Sequence, residues 1–191
     1  MTLHVVRCDA VEPQPWKNGG GLTRELLAWP AREDRALRLS VADIRADGPF
    51  SAFPGVDRWF AVLEGAGVLL TLSDGKHTVQ ADAAPLHFRG ETAPPCELLD
   101  GPTRDLNLMI RREAGRGAMQ RARPGEDFGA RDAFRALFTA DPLTLQIDGA
   151  DAARVPAMAL LWADGGAHGT WRIAADSPVR AFWIHFEPRP V

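Results

Sequence analysis

A mainly β fold is predicted by three features of the sequence. The 18 Gly and 15 Pro of the 191 residues fall as punctuation between short apolar runs, the pattern of short strands joined by turns rather than of a helical bundle. Several of those runs alternate apolar and polar residues with the period of a half-buried strand. Hydrophobic residues make up 46% and charged residues 25% of the chain, close to globular averages, so a packed core is expected rather than disorder.

Taken in order, the expected strands are Thr2 to Arg7, Leu22 to Trp29, Leu37 to Ile44, Trp59 to Glu64, Gly67 to Leu72, His77 to Ala81, Pro85 to Arg89, Cys96 to Leu99 and Asp105 to Arg111. Each is followed by a turn residue. At Ser73-Asp74-Gly75-Lys76 the Asp-Gly step between two alternating runs predicts a hairpin with the positive backbone angles of a type I′ turn. From Arg112 to Gly129 the chain turns to Arg, Gly, Glu and Ala with little periodicity, which reads as a connection. A short helix is predicted over Asp132 to Phe138, where Phe134, Leu137 and Phe138 recur at helical spacing. Four further strands follow at Leu143 to Ile147, Ala157 to Trp162, Thr170 to Ile173 and Val179 to Phe186. Residues 1–111 thus read as a larger β unit, and 112–191 as a connection plus a second, smaller β unit packed with it into one compact protein.

The formal charge of -3, with basic residues scattered among acids, leaves no electrostatic footprint for nucleic acid. Cys8 and Cys96 are the two cysteines, outside any zinc or CxxC spacing, so reduced thiols are expected rather than a disulfide framework. Met1 to Ala10 lacks the apolar core of a signal peptide. No run approaches the roughly 20 apolar residues of a spanning helix. A cytoplasmic protein with no membrane partner is the resulting expectation.

Four stretches carry a family likeness: Pro15-Trp16-Lys17-Asn18-Gly19-Gly20-Gly21-Leu22-Thr23-Arg24-Glu25, Asp47-Gly48-Pro49-Phe50-Ser51, Phe53-Pro54-Gly55-Val56-Asp57-Arg58 and Asp105-Leu106-Asn107-Leu108-Met109. Together they resemble the HutD/Ves family. The resemblance implies a cupin-type antiparallel β-barrel, a bicupin with a degenerate second half. It also implies a regulator or governor of histidine utilisation that binds a small ligand, with no established catalytic activity. Beyond Arg112 the fold assignment is carried by continuity alone.

The residues themselves suggest how such a ligand would be held. Lys17-Asn18-Gly19-Gly20-Gly21 lacks the GxxxxGK pattern of a nucleotide-binding P-loop. Consecutive glycines let backbone N–H groups converge into an anion nest, although the same residues also suit a plain tight turn. In Leu22 to Trp29, strict alternation sets Arg24 on the face of Leu22, Leu26 and Ala28. Arg58 precedes Phe60 and Val62 by two and four residues and is therefore aligned with an apolar face as well. A buried guanidinium needs an acceptor, and two inward arginines would clamp a carboxylate through their planar forks. Asn107 lies on the polar face of its strand with Asp105, Met109 and Arg111. That face meets solvent in an isolated strand and lines the lumen in a barrel. Lys17, Asn18, Gly19, Gly20, Arg24, Arg58 and Asn107 are the expected ligand-binding set.

Cupins often hold a metal through H-x-H with a downstream Glu and His. The corresponding region here reads Asp57-Arg58-Trp59-Phe60-Ala61-Val62-Leu63-Glu64, and His4, His77, His87, His168 and His185 are dispersed, so neither a metal nor another cofactor is expected. A non-catalytic binder of a small carboxylated metabolite is the leading functional reading, with the oligomeric state, including a homodimer, left open. The alternative is a metal-independent lyase, isomerase or hydrolase using Glu25 or Asp57 as general base. A third reading is a structural barrel whose glycines only make a turn.

Overall fold

The computed structural model describes residues 2–129, 133–164 and 169–189. Apart from a 3-10 turn at Cys8–Ala10, its regular structure is entirely β. In chain order the strands are β1 (His4–Arg7), β2 (Gln14–Pro15), β3 (Gly21–Trp29), β4 (Leu37–Ile44), β5 (Gly48–Pro49), β6 (Val56–Glu64), β7 (Val68–Leu72), β8 (Gly75–Val79), β9 (Leu86–Arg89), β10 (Pro95–Leu98) and β11 (Thr103–Arg111). They continue with β12 (Gly115–Ala122), β13 (Asp127–Phe128), β14 (Phe134–Thr139), β15 (Leu143–Ile147), β16 (Ala153–Val155), β17 (Ala159–Asp164), β18 (Trp171–Ala174) and β19 (Ala181–Pro188). Among the described residues, no helix is long and apolar enough to cross a membrane.

The chain divides into two compact units, one of Val11–Gly115 and one of Met1–Ala10 with Arg116–Val191. In the first, a six-stranded sheet of order β2-β3-β4-β11-β6-β9 accompanies a four-stranded sheet β5-β10-β7-β8. Ile44, Phe60 and Val62 of the larger sheet pack in one cluster with Val68, Leu70, Val79 and Cys96 of the smaller. Each fully buried side chain of this size contributes roughly 1.5–3 kcal/mol. Burial pushes the Cys96 thiol up to about 12. Across the larger sheet the inward row Arg38, Met109, Arg58 and Phe88 comes from β4, β11, β6 and β9 in register. The row Glu25, Ser40, Asn107 and Phe60 lies beside it.

The second unit pairs a five-stranded sheet β1-β17-β14-β19-β12 with a four-stranded sheet β13-β18-β15-β16. Leu137, Leu161 and Trp183 share a core with Leu145, Trp171 and Ile173, and the Phe128 ring stacks on Trp183 at 4.8 Å.

Several expectations are corrected. The predicted helix over Asp132 to Phe138 is strand β14, and Asp132 itself lies outside the described residues. Every residue of β14 is buried and the strand is paired on both sides, with β17 and β19. A strand covered on both faces loses its alternation, which left a chance helical spacing to read. The expected connection of 112–129 contains β12 and β13. His4–Arg7 pairs with β17, so the N-terminal strand belongs to the unit formed by the later residues rather than to the one that follows it in sequence. The hairpin joins β7 to β8, but Leu72 opposes Gly75 and, within the turn, only Gly75 has positive φ, at 132°. Its loop is therefore Ser73-Asp74, one residue earlier than a type I′ Asp-Gly turn would place it.

Candidate functional site

Within the unit of Val11–Gly115 a cavity of about 500 Å³ opens at the inward row of the larger sheet. Arg58 is its deepest cation, only 4% exposed. Nη2 donates to Asn107 Oδ1 at 3.1 Å, and Nη1 makes a long contact of 3.4 Å with the Ser51 carbonyl. Nε has no hydrogen-bond partner. The guanidinium lies over the rings of Phe50, Phe53 and Phe88 at 5.1, 5.5 and 5.0 Å, contacts that help offset its desolvation. Among the described residues no carboxylate comes within ion-pairing distance of it. Burial, then the neighbouring Arg38 charge, lowers the Arg58 pKa to about 10. It remains a cation at neutral pH, buried and without a counter-anion, a condition proteins usually avoid because it costs several kcal/mol on the order of a lost buried partner.

The cavity wall adds two more cations, Lys17 and Arg38, and contains no Asp, Glu, His or Cys. Because Asn107 Oδ1 accepts from Arg58, its amide Nδ2 is the end left for an acceptor in the cavity. Trp16 supplies part of the wall, oriented by a 2.7 Å bond from Nε1 to Thr23 Oγ1. Ile44, Phe50, Phe53 and Met109 make the remainder largely apolar. The result is a site with apolar walls and convergent donors, a form suited to a small organic anion.

Of the expected set, Lys17, Asn18, Arg58 and Asn107 line this cavity, whereas Gly19, Gly20 and Arg24 do not. Arg24 lies with Leu22 on the sheet face of Val41 and Asp43, opposite the row of Arg38, Met109 and Arg58, and the register of β3 against β4 slips only after it, between Glu25 and Leu27. Arg24 then opposes Val41 while Ala28 opposes Arg38, so the assumed common face is broken. Arg24 instead donates to Asp43 Oδ2 at 2.7 Å, and Arg104 meets Oδ1 of the same carboxylate at 2.6 Å. The expected two-arginine clamp of Arg24 and Arg58 is therefore not formed. The glycine turn does not form an open nest either. Gly19 donates to the Trp16 carbonyl at 3.0 Å and Gly20 to Asn18 Oδ1 at 3.0 Å, so both N–H groups are used inside the turn. Gly19 has φ +73°, and a Cβ on Gly21 would stand 2.5 Å from the Asp43 carbonyl and 3.2 Å from the Trp16 ring. Conformation and packing thus account for these two glycines.

The acids named for an enzymatic reading are also committed elsewhere. Glu25 sits among three guanidiniums, Arg38 at 2.8 Å, Arg32 at 3.0 Å and Arg35 at 3.7 Å. Asp57 pairs with Arg112 at 3.1 Å and faces His87 at 4.0 Å. Neither lines the cavity. Among the described residues no three His, Cys, Asp or Glu side chains are grouped to hold a metal, and His168 lies outside those residues.

Arg38 is the cavity cation that reading the sequence missed. Its strand, Leu37 to Ile44, is recognisable, but the identity of its inward face follows only from the pairing of Arg38 with Met109 and of Ser40 with Asn107. Direct cross-strand partners share a face of the sheet.

Comparison with known proteins agrees with this architecture. The HutD family model matches residues 9–181. The chain is 37% identical over 123 residues to an uncharacterised 21.2 kDa protein of the hutC 3′ region of Pseudomonas putida, a match covering 62% of this chain and 63% of that protein. It is 38% identical over 120 residues to the protein Ves of Citrobacter koseri, covering 61% and 62%. The chain thus spans less than two thirds of the length of these curated relatives. HutD of Pseudomonas fluorescens SBW25 superimposes with a TM-score of 0.86 at 29% identity, over 99% of this chain and 100% of that one. At 9% identity, Bacillus subtilis oxalate decarboxylase shares the fold with a TM-score of 0.63, over 96% of this chain and 77% of that one. With its cupin-type antiparallel β fold, and with a family model matching it from residue 9 to residue 181, this chain belongs to the HutD family.

Proposed function

We propose that this chain is a non-catalytic cupin protein that binds a small carboxylate and through that binding regulates histidine utilisation. Each two-sheet unit is taken as one cupin barrel, making the chain a bicupin with its ligand cavity in the unit of Val11–Gly115. The observation that carries the reading is Arg58: a guanidinium 4% exposed, aimed into a cavity whose wall holds three cations and no acid. A carboxylate would supply the missing charge and take hydrogen bonds from Arg58 and Asn107 together. The HutD structure from P. fluorescens, described for a formate condition, is compatible with that chemistry. The link to histidine utilisation rests on the family and on the P. putida relative from the hutC region.

Thermal-shift screening of carboxylated metabolites against their uncharged amides tests the binding. A ligand present at a hundredfold excess over its dissociation constant stabilises by about 2.7 kcal/mol, a rise of roughly 5–10 °C for a chain of this size. No rise with any carboxylate, or an equal rise with the amides, would defeat the reading. The regulatory half is tested in the native host, where Arg58→Leu should alter growth on histidine as nitrogen source and leave growth on ammonium unchanged.

A further inference from the structure

Beside the Arg58 cavity lies a second recess of about 310 Å³. Arg38, Phe53 and Met109 line both, so the two spaces meet along one wall. The recess is rich in guanidinium groups, with Arg32, Arg35, Arg38 and Arg111 around it and Glu33 as the acid in its wall. Charge compensation there is thin. One carboxylate, Glu25, serves Arg32, Arg35 and Arg38 at once. Its contact with Arg38 runs through Nε, which lies 2.8 Å away but out of line for a hydrogen bond. Among the described residues Glu25 is the ion-pair partner of Arg38. Arg111 meets Asp34 at 2.9 Å and Glu113 at 3.7 Å, but both acids are 79% exposed. Pairs with such exposed acids are weak and readily exchanged for another carboxylate.

The spacing of the cations follows from strand register. Arg38, Met109 and Arg58 occupy one inward row across β4, β11 and β6, which sets the Arg38 and Arg58 backbones about 10 Å apart. Arg111 follows Met109 by two residues on β11, on the same face and about 7 Å further along the strand. Between the two cationic ends the shared wall is the apolar pair Phe53 and Met109. Positive charge on either side of this apolar pair matches a molecule with an acid at each end and methylenes between.

Building on the carboxylate reading of the Arg58 cavity, we propose that the ligand is an α,ω-dicarboxylate spanning both spaces. Its first carboxylate rests on Arg58 and Asn107, and its second on Arg38 and Arg111 with the exposed acids displaced. Arg111 is then a specificity residue that selects a diacid over a monoacid of equal length, and the distance between the two ends selects the chain length.

The test is calorimetric titration of the full chain with two series, straight-chain monocarboxylates and the α,ω-dicarboxylates of matching carbon number. The expected result is one preferred diacid length that binds at least tenfold more tightly than its monoacid. Arg111→Gln, whose own site is partly exposed, should bring that diacid down to the monoacid's affinity and leave the monoacid itself unchanged. Arg58→Leu should abolish both, with the melting temperature confirming a folded chain. Equal affinity of the two series, or an Arg111→Gln variant that keeps the diacid preference, overturns the spanning proposal while leaving the carboxylate site standing. Failure of every mono- and dicarboxylate to bind the unaltered chain overturns both.

Discussion

Arg58 and Asn107, 49 positions apart in sequence, meet through a buried hydrogen bond of 3.1 Å in which the guanidinium donates and the amide oxygen accepts. A neutral amide orients the cation without neutralising it. That leaves the charge for a ligand, which is the physical difference between Arg58 and Arg24, whose charge Asp43 already satisfies at 2.7 Å.

Placing a carboxylate at position 107 should therefore end the competition in the protein's favour. Asn107→Asp would pair Arg58 internally, raise the melting temperature of the empty chain and remove carboxylate binding. Asn107→Ala should instead destabilise by about 1–3 kcal/mol, because Arg58 loses its acceptor. Denaturant titration with and without ligand separates the two. An Asp variant that still binds carboxylates would show that Arg58 is not the ligand's partner.

The fork geometry of Arg58 gives a second expectation. Arg58→Lys keeps the charge but replaces a planar pair of donors by a flexible ammonium, and its stacking with Phe50, Phe53 and Phe88 is weakened. Affinity for the ligand should fall about tenfold or more, equivalent to roughly 1.4 kcal/mol, with little change in folding. Titration calorimetry reads this directly.

Arg24 should behave as part of the framework. Burial works to raise the Asp43 pKa, but hydrogen bonds from Arg104 and Arg24 outweigh it and hold the carboxyl below its ordinary range. A folded-state pKa below the unfolded one stabilises above the unfolded value and is lost as pH falls through the folded value. Arg24→Gln should cost roughly 1 kcal/mol near neutral pH, with the deficit shrinking in acid, and carboxylate affinity should stay within about twofold of the unaltered chain. Urea melts across pH 3–7 and one calorimetric titration measure both; a tenfold loss of ligand affinity would return Arg24 to the site.

Asp105 carries the opposite sign. It is fully buried; burial first, and then the Asp43 charge, push its carboxyl well above the ordinary range, against a bond from Thr103 Oγ1 at 2.8 Å. A raised folded-state pKa gives stability that is complete below the unfolded value, near 4, and is lost as pH rises toward the folded value. Asp105→Asn, which resembles the neutral acid in shape, should remove this loss, so its stability should exceed that of the unaltered chain increasingly as pH climbs from about 4. Parallel pH profiles of the two melting temperatures would refute the buried neutral acid.

What the sequence by itself determined was local in origin. Thirteen expected strands overlap observed ones because period-two alternation and Gly or Pro punctuation act within a few residues. Asn107 and Met109 could be set on one face for the same reason, and the stretch from Trp16 to Glu25 sufficed to name the family later matched over residues 9–181. The tertiary structure decided the rest. Pairing opposite Val41 set Arg24 on the face away from the cavity, and a bulge after Glu25 split it from Ala28; burial on both faces hid the strand at Phe134–Thr139, and pairing with β17 carried His4–Arg7 into the unit of the later residues. Arg38, Arg58 and Asn107 share a cavity because three strands distant in sequence align in register. Register is a property of paired strands, set by long-range hydrogen bonds and packing, so no single segment of the chain encodes which inward charges will face one another.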